Sequence, residues 1–345
     1  MIREINARYK KRYAIAIALS VAASLLSILL ALMLGHYGYI GPKEIGKILL
    51  NQLGASYEIS RSYANIVSYI RLPRTLASFL VGGALSVAGL VYQNTFNNKL
   101  VSPDILGVSA GACVGAGLAI LLGLTGTFIS VFAFGFGALS VLIALTLPKF
   151  FKNNSNFLLV LSGIIVGAFM NSIIGLIKYL ADRDDKLAAI TFWMMGSVSG
   201  TTMSKVLKAL PLVVLPCLLL YYIGNRVDIV SLGKEEAQSL GIHYTRNRLV
   251  IIICSTILTA TSVSLSGNVG WVGLVIPHIA RVFSGERTKD ALPLSFFFGG
   301  CFLVLTDLLS RILQKDEVPL SIITGIFGAV IYSFVLAKRG RSIND

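Results

Sequence analysis

From Ile105 to Pro148 the chain carries no charged side chain. A helix needs about 20 mostly apolar residues to cross the hydrocarbon core of a bilayer. The stretch is long enough for two crossings, and Gly123–Gly126 offers a turn between them. A water-soluble fold has no means of covering such a run. The rest of the chain agrees: 55% of its 345 residues are hydrophobic and 13% are charged, where a soluble domain carries about 25% charge. A secreted domain, a cytosolic enzyme and a disordered scaffold are excluded. An outer-membrane barrel would need short segments alternating polar and apolar residues, whereas these apolar runs are continuous. The chain reads as an all-α polytopic membrane protein, a single transmembrane domain over 1–345.

Charge-free runs predict ten spans, near 14–34, 73–93, 105–123, 126–147, 157–179, 206–224, 247–266, 270–284, 290–312 and 318–337. The short one after Gly267 reads as either a span or a broken helix. The basic start (Arg3, Arg8, Lys10, Lys11, Arg12) precedes an uncharged run longer than the roughly 7–15 residues of a signal-peptide core, so it reads as an uncleaved first span. Residues 35–70 read as an external loop with an amphipathic stretch from Pro42 to Leu53. An even number of spans places both termini on one side, and the Lys and Arg excess assigns that side to the cytoplasm. The net charge of +14 is then a property of membrane loops rather than a nucleic-acid surface. Cys113, Cys217, Cys254 and Cys301 sit inside apolar runs, without disulfide or metal-site spacing. Gly107, Gly111 and Gly115, like Gly163 and Gly167, recur every fourth residue, which lets helix backbones approach closely.

Enzyme motifs fail on inspection. Gly41-Pro-Lys-Glu-Ile-Gly46-Lys47 lacks the Ser/Thr of a phosphate-binding loop, since Ile48 follows. Gly107-Val-Ser109-Ala-Gly111 matches a nucleophile elbow but lies in an apolar run, and His36, His243 and His278 have no evident acid partner. No expected span carries a carboxylate near its middle, which argues against proton-coupled transport. His278 and Trp271 read as packing or interfacial residues.

Several segments together carry a resemblance. They are Arg71-Leu-Pro-Arg74-Thr75; Gln93 followed by Leu106-Gly-Val-Ser-Ala-Gly111; Leu232-Gly-Lys-Glu-Glu-Ala-Gln-Ser-Leu-Gly241; Gly270-Trp-Val-Gly-Leu-Val-Ile-Pro-His-Ile-Ala-Arg281; and Asp307-Leu-Leu-Ser-Arg311. Over about 65–338 the chain resembles the FecCD family, permeases of type II ABC importers for iron-siderophores, haem and vitamin B12. The resemblance implies a fold like that of the vitamin B12 importer permease, in a bacterial or archaeal cytoplasmic membrane. It implies a subunit that is not an enzyme and has no cofactor, metal site or catalytic residue. The implied partners are a second permease chain (identical or related), two ATPase subunits, an extracytoplasmic binding protein and the bilayer, with no nucleic acid. The implied cargo is a metal chelate, a ferric siderophore first, with haem or cobalamin as other members. A secondary transporter or channel working without an ATPase is the alternative.

The resemblance also assigns sites. Arg71, Arg74 and Arg311 would face acidic residues of the binding protein, a role that the planar donor fork of guanidinium suits. Interfacial snorkelling is the other reading. Arg71 would precede a helix that has Pro73 in its first turn. Residues 225–248 would form a cytoplasmic coupling region, with Gly233, Lys234, Glu235, Glu236, Ala237, Ser239, Leu240 and Gly241 seated in a groove of the ATPase. Ala237 and Leu240 would share its apolar face. Asn171 in the fifth span would line the pore or make an interhelical hydrogen bond, with Asn153 and Asn154 near a cytoplasmic gate.

Overall fold

The computed structural model describes residues 2–344 except 37, 151–155, 184 and 315, without the side chains of 2–8, 336 and 338–344. Asn153 and Asn154 therefore lie outside the described residues. Among the described residues the regular structure is helical throughout.

The long first helix, α1 (Ile2–Met33), leads to the amphipathic α2 (Pro42–Gln52). Pro42 starts α2 and Glu44 lies in its first turn, both favoured there. Ile45 and Ile48 fix α2 by packing with Leu32, Ile40 and Val67. The short α3 (Arg61–Asn65) continues through a π-helical stretch, Ile66–Arg71, into α4 (Leu72–Thr95). The expected helix start at Pro73 is thus displaced. Arg71 lies inside one helical run, Arg61–Thr95, because Pro73 is tolerated where the wide turn ends.

Then come α5 (Val108–Leu121), α6 (Thr127–Phe150), α7 (Asn156–Leu180) and α8 (Lys186–Met195). They are followed by α9 (Met203–Tyr222), α10 (Gly224–Val230), α11 (Lys234–Ser239) and α12 (Tyr244–Ser266). The chain closes with α13 (Val272–Ser284), α14 (Thr288–Leu313) and α15 (Leu320–Asn344).

Among the described residues, seven helices are long and apolar enough to cross a membrane: Tyr9–Met33, Arg61–Thr95, Thr127–Phe150, Asn156–Leu180, Met203–Tyr222, Tyr244–Ser266 and Thr288–Leu313. The other three expected spans are shorter apolar helices, Val108–Leu121, Val272–Ser284 and Leu320–Val335. Short helices are tolerated at membrane depth when protein covers their ends. Here Ser197 N–H donates to Ser266 O at 2.8 Å, and Leu320 N–H donates to Gly196 O at 2.9 Å. The broken ends of α8, α12 and α15 therefore satisfy one another.

Helix α4 is the axis of the bundle, buried on nearly every side. It packs against α14 and α13 through glycine. A methyl group on Gly82 would strike the Gly299 carbonyl, and one on Gly89 would strike Gly273 O. The half-length α13 begins at that level, after Gly267 and Trp271 have turned the backbone at φ +67° and +70°. The Trp271 ring lies against Gly328 of α15. The apolar residues left outside, such as Phe157, Ile164 and Phe169 on α7, face away from the chain's own core.

Candidate functional site

Antiparallel α4 and α14 define two ends, roughly 30 Å apart at 1.5 Å of rise per residue. One end holds Arg71, Arg74 and Arg311. They line a common cavity of about 270 Å³ with Gly35, His36, Tyr69 and Glu317.

The three arginines are brought together, and they are buried and already hold partners. Arg71 donates to the carbonyls of Leu32 and Met33 at 2.8 Å and of Gly38 at 2.6 Å, closing the end of α1. The Leu32 and Met33 carbonyls end α1 without a partner in their own helix, so the cation occupies the favourable pole. Arg74 forks onto Asp307 at 2.8 and 2.9 Å, and its other nitrogen reaches Glu317 at 2.5 Å. Arg311 pairs with the second Asp307 oxygen at 3.2 Å. Asp307 is 0% exposed and is shared by two guanidiniums. Two of the three cations thus meet two carboxylates, while Arg71 meets only carbonyls, leaving the group one positive charge in excess. Arginines merely snorkelling to an interface would lack this internal cage.

The opposite end carries α10 and α11. Glu235 and Glu236 lie in the first turn of α11. The expected shared apolar face is not formed. Ala237 is fully buried within the chain, whereas Leu240 points outward, 59% exposed. Leu240 lies past the last residue of α11, at its C-cap with φ −84° and ψ 10°, so the i,i+3 face-sharing of a helix no longer holds between it and the inward-packed Ala237. The exposed apolar residues flanking α11 are Leu232 and Leu240.

Beside α11 is a polar network that sequence reasoning missed. Asp228 on α10 accepts the Thr288 backbone N–H at 3.1 Å and the Thr288 hydroxyl. Burial pushes the Asp228 carboxyl above the usual carboxylate range, opposed by these Thr288 donors and by the Arg287 charge. The Thr288 oxygen accepts from Asn94 Nδ2 at 2.6 Å. Asn94 Oδ1 and Gln93 Oε1 accept from Arg281 at 2.8 Å each. Gln93 and Arg281 stood in the quoted motifs. Asp228 and Thr288, far apart in sequence, gave no signal of their pairing.

Other residues hold ordinary places. Asn171 is exposed on α7. His278 is buried, 3.0 Å from Lys99 O through Nε2, with its ring beside Tyr332. Among the described residues no group of His, Cys, Asp and Glu could hold a metal ion.

Comparison with known proteins places this architecture. The model of the FecCD transport family matches residues 23–338. The molybdate import permease MolB of Haemophilus influenzae is 34% identical over 312 residues, 90% of this chain and 91% of its own. The hemin transport permease HmuU of Yersinia pestis is 33% identical over 279 residues, 78% of this chain and 82% of its own. An inward-facing structure assigned to the metal-chelate type of ABC transporter superposes with a TM-score of 0.83. It is 30% identical and covers 93% of this chain and 98% of that one. This chain belongs to the FecCD transport family.

Proposed function

We propose that this FecCD-family chain is the membrane-crossing permease of an ATP-driven importer that carries a metal chelate inward. The observation behind this reading is the pairing of two unlike ends on one rigid helix pair. An open cationic cavity at one end suits an acidic external donor, and an outward-facing Leu240 beside a short helix at the other suits a cytoplasmic motor. Arg71, Arg74 and Arg311 serve as the docking floor for the carboxylates of a binding protein. They act as a preset cationic basin rather than as extended arms. Gly233, Lys234, Glu235, Glu236, Ala237, Ser239, Leu240 and Gly241 form the ATPase contact, with Ala237 anchoring the loop to its own chain. The cytoplasm lies on the α11 side and holds both termini. Asn171, on the exposed face of α7, lines the pathway between two permease copies.

The relatives carry iron chelates, hemin and molybdate by name, so the cargo is one of that chemical range, with a ferric siderophore put first. The test is uptake into vesicles containing the permease and its ATPase, with the binding protein outside. Ferric hydroxamate, haem, cobalamin and molybdate are offered in turn. The reading expects uptake of one class that requires both Mg-ATP inside and the binding protein outside. Uptake driven by an ion gradient without ATP would instead make the chain a secondary transporter.

A further inference from the structure

We infer that Thr288, held between Asp228 and Asn94, is the positioning residue through which motion of the ATPase-contacting helix reaches α13. The inference rests on the importer reading above and assigns how its stroke travels.

The hydrogen bonds around Thr288 share one direction. Arg281 donates to Asn94, Asn94 donates to Thr288, and Thr288 donates to Asp228. Every donor points the same way, from a guanidinium on α13 to a carboxylate on α10. Chains of this kind polarise cooperatively in a low-dielectric interior. Thr288 can occupy the middle because a hydroxyl donates once while accepting on its lone pairs. Its backbone N–H also binds Asp228, at 3.1 and 3.2 Å to the two oxygens, so both donors of one residue converge on one carboxylate.

Four helices end in this chain: α10 through Asp228, α14 through Thr288, α4 through Asn94 and α13 through Arg281. Arg281 also holds Gln93, whose amide nitrogen reaches Val101 O and Leu274 O at 3.2 Å. That last contact lies near the start of α13, where Trp271 packs on α15. The Asp228 end connects to α11 through only Ser231, Leu232 and Gly233 beyond α10. Thr288 and Arg281 are buried, at 0% and 4% exposure, so water does not readily substitute for a lost link. The network is thus a continuous polar connection from α10, which leads into α11, to α13, whose start packs on α15 through Trp271. Coupling is read as transmission between the two ends of the network.

Thr288→Val removes the hydroxyl, preserves shape and leaves the backbone N–H on Asp228. Thr288→Ser restores the hydroxyl. The permease–ATPase complex is compared by hydrogen–deuterium exchange, nucleotide-free and trapped with Mg-ATP and vanadate. In the unmodified complex, trapping should change exchange in both 233–241 and 272–284. T288V should keep ATPase co-purification and the 233–241 change, but lose at least about half of the 272–284 change, and T288S should recover it. If T288V fails to assemble, Asn94→Leu, which removes the amide that donates to the Thr288 hydroxyl, takes the same comparison. A full 272–284 response in T288V, or none in the unmodified complex, overturns the inference. Failure of the unmodified chain to retain any ATPase would instead overturn the importer reading.

Discussion

The two ends of the α4–α14 pair hold comparable numbers of polar groups but use them differently. At the arginine end, three cations and two carboxylates gather beside a cavity of about 270 Å³, with Arg71 held by carbonyls alone. At the other end, a guanidinium and a carboxylate terminate a chain of neutral groups, arginine to amide to hydroxyl to acid. The first arrangement leaves charge and space unfilled. The second spends its donors internally. A surplus of charge over an open volume is what a site awaiting an acidic ligand needs, whereas a closed chain transmits displacement without requiring a ligand.

The largest effect expected from this contrast is at Asp307. Breaking a buried ion pair by removing one partner costs on the order of 3–5 kcal/mol. Asp307→Ala leaves Arg74 with Glu317 alone and Arg311 without a carboxylate, so unfolding in detergent should show a loss of that size. Thr288→Val, at the neutral chain, should cost only about 1–2 kcal/mol by the same measurement. Equal losses at the two sites would break the comparison.

The glycine contacts sharpen it. Gly89→Ala forces α4 away from Gly273 between the two ends and should cost about 1–3 kcal/mol, as overpacking does. Gly135→Ala on α6, with nothing near its added methyl, should be neutral or mildly stabilising. A similar loss at both would mean that α4 is not the tightly seated axis. The smallest effect belongs to Lys99→Ala. Its ion pair with Glu286 is 40% and 60% exposed, so solvent screening leaves it about 0–1 kcal/mol.

Much of this architecture was legible in the residues. Runs without charge located the long helices, because a bilayer tolerates few alternatives. Pro42, Glu44 and the spacing of Ile45 and Ile48 announced α2. Helix α8 was hidden because Arg183, Asp185 and Lys186 make its approach look like a solvated loop. The arginines were identifiable as a group, but their burial was not. Nothing near Arg74 in sequence reveals that Asp307 and Glu317 will reach it. Ala237 and Leu240 fit one helical face by spacing, yet packing against α10 and α12 turned only Ala237 inward. Asp228 and Thr288 are joined solely by tertiary structure, and a lone acid and a lone threonine at helix ends carry no motif.

The reading of the two ends depends most on the exposed Leu240. Leu240→Asp places a charge where an apolar contact with the ATPase is proposed, and burying an unpaired charge is expensive. Because Leu240 is 59% exposed in the chain itself, the substitution should leave membrane insertion and detergent stability unchanged. The direct measurement is co-purification of the ATPase with the unmodified and Leu240→Asp permeases at matched expression. Retention is expected for the first and at least a tenfold loss for the second, with both chains folded alike. Equal retention by the two would contradict the proposed ATPase contact.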